Sequence, residues 1–580
     1  MNQSRRDFLK KLPLAMSIPF TIGGLQMRVM GQNALTQLAA ASQNDRVLVI
    51  LQMHGGNDGL NCLVPIESYD TYYSLRPNIA IPTPNNTRGY IPLDNTLPDN
   101  AKVGLHPDMQ AMKSLYDQGR VAIVQGVSYQ NNDGSHFRGR DIWLMGGSSE
   151  DYMQSGWIGR YLKGEYAPYE YPQQFPIKDG PDKMLDPLAI EVGGDVSLIF
   201  HQQGNIPASI SLYSIPDFAE LVGELEGFRE DELLDPRGIP PAYLSGSPYF
   251  KELQWILDLE DKSKDYAERL AQVYSNATET SVTYPHLYPF NAPSGSLQNP
   301  LSYQLKMVSR LIAGGCKTKV FLVKIGGFDT HAEQVESYDP TMGHHAALMY
   351  HISTAMQAFQ NDLKARGLED LVLTVTTSEF GRRVKSNGSY GTDHGTGGPL
   401  FIFGKGVRPG LHGEAFDITP GNNVSMQYDY REVYASIMRD WMLVDNARLN
   451  DIFPDPSVPG KGIVNGGTSD GITMNDPLPL AQQVITGNEG FIGDRFALED
   501  CFPNPAKDLT TIHFRINSAY HVNIELMDNQ GKRMKTLVDA FYKPGEHKVE
   551  VELTGLPPGH YIYELKTGFY KEARKLVIVK

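Results

Sequence analysis

Four apolar runs rich in β-branched residues constrain this chain more than any other feature: Val47-Leu48-Val49-Ile50-Leu51, Val121-Ala122-Ile123-Val124, Val320-Phe321-Leu322-Val323 and Leu371-Val372-Leu373-Thr374-Val375. Their hydrophobicity is continuous rather than alternating. Each strand is therefore expected to be covered on both faces, as a parallel sheet with flanking helices requires. Leu400-Phe401-Ile402-Phe403 adds a fifth run. Leu348, Ile352, Ala355, Met356, Phe359 and Leu363 fall at three- and four-residue spacing and predict an amphipathic helix, which Gly367 stops before the strand at Leu371. The fold class that follows is α/β, a mostly parallel sheet flanked by helices.

In open α/β sheets the ligand site lies beyond the carboxyl ends of the strands, and here those ends are polar. The first strand runs into His54-Gly55-Gly56-Asn57-Asp58-Gly59, the second into Asp133-Gly134-Ser135-His136-Phe137-Arg138 and the third into Gly326-Gly327-Phe328-Asp329-Thr330-His331. The fourth reaches Ser378-Glu379-Phe380-Gly381-Arg382-Arg383, and Asp393-His394-Gly395 precedes the fifth.

Asp329 and His331 are two apart, so in extended backbone they face the same side and can share an ion. His394 is followed by glycines that allow close backbone approach. Glu379 follows a buried strand, where an unpaired carboxylate is costly, so it calls for a metal or an arginine. Asp58 lies in a glycine-rich turn, where Asp is also ordinary turn chemistry. His54 reads as a hydrogen-bonded core residue sooner than as a ligand, and Asp393 as a supporting group or plain turn residue. Ser135 opens a helical segment from His136 to Met145. It reads as an N-cap, as a hydroxyl activated at the positive helix end, or as both.

Length and composition bound the rest. The 580 residues allow roughly two to four domains. A net charge of −15 makes a nucleic-acid partner unlikely on electrostatic grounds, and no run of about 20 apolar residues offers a membrane span. The three cysteines, Cys62, Cys316 and Cys501, are too scattered for a thiolate metal site, so a metal would need His and carboxylate ligands.

Both ends read as addresses. Ser4-Arg5-Arg6-Asp7-Phe8-Leu9-Lys10, followed by a short apolar stretch and Ala39-Ala40-Ala41, resembles a twin-arginine export signal over residues 1–41. The α/β domain is expected over 42–460, with residues 166–300, rich in Tyr and Pro, as an inserted cap. A linker rich in Gly, Asn and Asp is expected over 461–495. Short alternating runs over 496–580 predict a small all-β sandwich. Its Phe502-Pro503-Asn504-Pro505-Ala506, Gly555-Leu556-Pro557-Pro558-Gly559 and closing Lys575-Leu576-Val577-Ile578-Val579-Lys580 resemble the type IX secretion C-terminal sorting domain. That resemblance implies passage through the periplasm to the cell surface or medium, with the twin-arginine and type IX machineries as partners.

His54-Gly-Gly-Asn-Asp-Gly-Leu-Asn61, Ser135-His-Phe137, Asp329-Thr-His331, Ser378-Glu-Phe-Gly-Arg382 and Asp393-His-Gly395 together resemble an exported family, the domain of unknown function 1501. That family is placed among alkaline phosphatase-like and sulfatase-like proteins, and the likeness covers roughly residues 45–450. It implies an alkaline-phosphatase-like sheet and a divalent metal, zinc in the first place, with manganese, iron or calcium as alternatives. By resemblance Asp329, His331 and His394 form one metal site. Asp58, Glu379 and the Ser135 hydroxyl form a second, with His136 substituting for an imidazole the superfamily usually supplies where this chain has Phe380. Ser135 becomes the nucleophile, and Arg138 and Arg382, with Arg383, the oxyanion clamps. The function implied is hydrolysis of small-molecule or polymer-borne phosphate esters, with sulfate esters second. The alternatives are a secreted binding or scaffold protein with a degenerate metal site, and an adhesin whose sandwich is the working part.

Overall fold

The computed structural model describes residues 45–218 and 263–481, most of 497–579, and two short N-terminal strands, with small gaps. Pro19–Ile22 and Leu25–Arg28 pair antiparallel, and the remainder of the expected signal segment lies outside the described residues. The chain divides into two units, one holding Asp45–Gln482 and the other holding Gln483–Lys580 together with the N-terminal segment.

The larger unit is built on a nine-stranded sheet. Its strands are β1 (Val47–Met53), β2 (Val121–Ser128), β3 (Ala189–Val192), β4 (Ser209–Leu212), β5 (Val320–Ile325), β6 (Val372–Thr377), β7 (Gly398–Phe403), β8 (Gly410–His412) and β9 (Tyr428–Asp429). The spatial order is β4-β3-β5-β1-β6-β7-β2-β8, with β9 also pairing with β2. All run parallel except β7, which is antiparallel to β6 and β2. This reversal explains why the motif before β7 meets motifs that follow the other strands: the entry of β7 lies at the edge where its neighbours exit.

The continuous hydrophobicity of the strands has its expected cause. Val49 and Leu51 pack with Phe321, Val323, Leu348, Ile352, Met356 and Phe359 in one core, while the alternate residues Leu48 and Ile50 are equally buried. Both sheet faces are thus covered. The predicted helix spans His344–Ala365, and its apolar stripe faces that core. The helix His136–Met145 starts at Ser135 and ends at Gly146, whose φ of 72° is the left-handed conformation that glycine adopts at little cost.

Two boundaries differ from expectation. The stretch 166–300 is not only a cap, because β3 and β4 extend the central sheet as parallel strands. Each is only four residues long, too short to stand out as an apolar run. The expected linker also begins too early: Ile463, Met474, Leu480 and Ala481 are buried in the larger unit, and Ala481 bridges to Val407.

The C-terminal unit is an all-β sandwich. One sheet holds Ala497–Leu498, Leu509–Ile516 and Gly545–Glu552, and the other Arg533–Tyr542, Tyr520–Asp528, Gly559–Lys566 and Lys571–Ile578. Each pairing between these strands is antiparallel. Along Leu509–Ile516 buried and less buried residues alternate, and Ile512, Phe514, Val522, Ile524, Leu526 and Leu576 form its own core.

Candidate metal centre

Three segments converge at the carboxyl edge of the sheet: the first turn of the helix after β2, the loop after β5 and the approach to β7. They bring together His136, Asp329, His331 and His394, whose ligand atoms all lie within 4.8 Å of one another. The Nε2 atoms of His331 and His394 are 2.7 Å apart. Asp329 Oδ1 lies 3.3 Å from His136 Nε2, 3.3 Å from His331 Nε2 and 3.7 Å from His394 Nε2. Ligands held about 2.0–2.1 Å from a tetrahedral zinc stand about 3.4 Å apart, so the separations from Asp329 suit one ion, while the His331 and His394 rings stand at hydrogen-bond distance and would open slightly to admit it.

The hydrogen bonds on the far side of the rings point the same way. His394 Nδ1 donates to the Gly134 carbonyl at 2.6 Å, which leaves Nε2 as a lone pair facing the cluster. Partial burial and the Arg382 charge hold its pKa below the ordinary value, keeping the ring in the neutral, ligating form. His136 Nδ1 bonds Glu379 Oε1 at 2.9 Å, and its Nε2 is buried with no hydrogen-bond partner although a carboxylate oxygen faces it. His331 Nδ1 lies 3.7 Å from Asp393 Oδ1. Each imidazole thus turns Nε2 inward and Nδ1 toward an acceptor, the orientation expected of metal-ligating histidines. An orphaned nitrogen opposite a carboxylate needs a proton or a cation between them. The donor set fits a divalent ion of borderline softness.

Glycines allow this convergence at two places. Gly55 has φ 124° and its absent Cβ would fall 2.3 Å from Asp329 N, while Gly134, φ 69°, lies against the His394 side chain.

Several expected site residues stand elsewhere. Asp58 does not join the cluster: its fully buried carboxylate accepts from Arg76 Nη1 at 2.8 and 2.7 Å and from Gln334 Nε2 at 2.6 Å. Burial pushes its pKa up, but Arg76 and His345 outweigh that and hold it below the usual carboxylate range. Glu379 also lies outside the cluster, because its Oε1 accepts from Gly55 N at 2.8 Å as well as bonding His136.

Arg382 is a buried strut rather than an exposed clamp. It donates to the carbonyls of Gly55, Gly56, Phe328 and Thr392, and to Asp329 Oδ1 at 2.7 Å. Partial burial raises the Asp329 carboxyl, but this bond and the Arg382 charge bring it below the ordinary value. Arg138 is anchored to the carbonyls of Ser149 and Asp151 and lies 4.0 Å from the Tyr152 ring centroid. Ser135 Oγ caps the helix by accepting from Arg138 N at 3.2 Å. Phe380 packs its ring 4.7 Å from His136 and 4.6 Å from His394. His54 is exposed, and its ring stacks 6.5 Å from that of His136.

Two supporting residues were not legible beforehand. Arg76 answers Asp58. Gln334, fully buried, accepts at Oε1 from the Thr330 and Thr392 hydroxyls, both at 3.0 Å, and so ties the two ligand-bearing loops together. An isolated Arg before a proline and an isolated Gln carry no spacing signal that would have marked them.

No curated protein matches the chain. Among solved structures it is similar to a protein of the alkaline phosphatase superfamily from Vibrio parahaemolyticus, at 10% identity over 85% of both chains with a TM-score of 0.32. It is also similar to a sulfatase from Pseudoalteromonas sp., at 10% identity over 91% of this chain and 89% of that one, TM-score 0.29. A third is an alkaline phosphatase from the Antarctic bacterium TAB5, at 11% identity over 62% of this chain and 92% of that one, TM-score 0.23. At such scores these likenesses add nothing to what the site geometry supports. Family comparisons match residues 275–452 to the protein of unknown function DUF1501 and residues 500–579 to the secretion system C-terminal sorting domain. The segment matched to DUF1501 holds Asp329, His331, Glu379 and His394, and the last residues of the chain match the secretion sorting domain.

Proposed function

We propose that this protein is an exported, divalent-metal-dependent hydrolase of phosphate or sulfate esters. The observation that carries the reading is the convergence of three imidazole Nε2 atoms on Asp329 Oδ1, with His136 Nε2 buried and unpartnered. His136, Asp329, His331 and His394 would hold the ion. A bound divalent cation supplies Lewis-acid stabilisation of charge on the ester oxygens.

The chain's own groups do the rest. Glu379 and the Gly134 carbonyl fix the orientation of two ligand rings. The positive end of the helix His136–Met145 surrounds the Ser135 hydroxyl and suits it as the attacking group. The sorting domain supports a reaction at the cell surface or in the medium, and the substrate we propose there is a small or polymer-borne ester.

The test is elemental analysis of purified protein combined with turnover of aryl phosphates and aryl sulfates with and without chelator. Turnover abolished by chelator and by His394→Ala is the expected result. Undiminished turnover in His394→Ala removes the site. A second reading, a binding protein with one structural ion, is favoured by Phe380 against two ligand rings and by the consumption of every Arg382 nitrogen in bonds to this chain. It predicts one ion per chain and no turnover of any ester.

A further inference from the structure

Resemblance to alkaline phosphatase-like hydrolases implies two cations, and the residues available for a second one do not fit it. Asp58 and Arg76 are both fully buried and paired through both carboxylate oxygens. Arg76 is held in place by the carbonyls of Val384 and Arg383, at 2.7 and 2.6 Å, and by Asn61 Oδ1 at 3.1 Å. A guanidinium so fully satisfied will not leave its carboxylate to a metal ion, since breaking the pair would strand a buried charge. Glu379, buried, spends Oε1 on Gly55 N and His136. His136, the imidazole expected to serve a second ion, lies in the cluster proposed for the first.

We propose that the centre is mononuclear and that its single divalent cation serves an ester whose tetrahedral centre carries one negative charge, a phosphate diester or a sulfate monoester, in preference to a doubly charged phosphate monoester. This rests on the hydrolase reading. The charge count supports it. Arg76 cancels Asp58, and Arg382 cancels Asp329 at 2.7 Å. Glu379 remains as one negative charge beside His136. Apart from Asp393, whose half-exposed carboxylate is screened by water, one divalent ion therefore brings the centre to a single positive charge, which a monoanion neutralises. A dianion would keep one negative charge without a partner in a partly desolvated site, with the Asp393 carboxylate near His331 opposing it further. Arg382 is fully committed and Arg138 is anchored to the loop carbonyls of Ser149 and Asp151, so neither guanidinium is free to turn onto a second oxyanion charge.

The full chain, loaded with zinc and dialysed, should hold one ion per chain. Asp58→Asn should hold the same amount, and His331→Ala should hold none. Two ions in the parent chain overturn the mononuclear centre even if Asp58→Asn fails to fold, and zinc held as tightly by His331→Ala as by the parent overturns the assignment of the ion to this centre. Charge preference is read by calorimetry at pH 8.5 with two inert ligands of like shape, benzenesulfonate, a monoanion, and phenylphosphonate, a dianion. Benzenesulfonate should bind at least tenfold more tightly. Equal or reversed affinity, or binding of neither, overturns the preference. Turnover of bis(4-nitrophenyl) phosphate, 4-nitrophenyl sulfate and 4-nitrophenyl phosphate, each relative to its uncatalysed rate, then tells a diester from a sulfate ester. Failure of all three beside a tenfold preference for benzenesulfonate sinks the hydrolase reading and leaves the one-ion, one-charge site standing.

Discussion

In the proposed centre Glu379 would support the metal site from outside the ligand set. Its carboxylate fixes the His136 ring from behind, and such supporting bonds commonly matter tenfold to a hundredfold in metal affinity. Glu379→Gln should weaken zinc binding by about that factor in a chelator competition, with secondary structure by circular dichroism unchanged. Two buried histidines further from the centre govern a different property. Burial holds His345 down to about 4, and it holds His106 well below its ordinary value, with His345 and Arg88 adding to the effect. In the unfolded chain both titrate near pH 6.5. Their folded-state values are depressed, so stability is fully present above about pH 6.5 and is lost as the pH falls toward 4, by up to about 1.4 kcal/mol per pH unit for each ring. Chemical denaturation between pH 7.5 and 4.5 should show that slope, and His345→Gln should make it shallower.

Among the elements, the loops that follow the strands depend on close backbone approach. Gly55→Ala would force a Cβ to within 2.3 Å of Asp329 N at φ 124°, a conformation that costs about 1–3 kcal/mol before any clash is counted. The expected outcome is a lower melting temperature together with loss of bound metal, since Asp329 has to move. The strands themselves were legible because full burial on both faces leaves a continuous apolar run, and the helix after β5 because its stripe repeats with the helical period. β3 and β4 were not, since four residues such as Ser209–Leu212 carry too little pattern. Within the site, the two-residue spacing of Asp329 and His331 was enough to place them together. The argument that Glu379 needs a partner is met by an imidazole and a backbone N–H. The pairing of Asp58 with Arg76 was not legible, because Arg76 comes from a helix terminus that no spacing rule connects to it.

At the level of the whole chain, the two units have separate cores, one around β1, β5 and the helix His344–Ala365, the other around Ile512, Phe514 and Ile524. A chain ending at Gln482 should therefore fold and retain its metal content, as checked by thermal unfolding and elemental analysis, while losing export to the surface. Among the described residues no helix is long and apolar enough to cross a membrane. The web that Arg382 spins among Gly55, Gly56, Phe328, Asp329 and Thr392 bears on the order of events in biogenesis. Because that web and the Gln334 amide already brace the coordinating loops, maturation need not be tied to the compartment in which the polypeptide was made. A stripped chain given zinc after translocation should become competent at once, without a refolding lag, so the environment outside the cell can choose the ion.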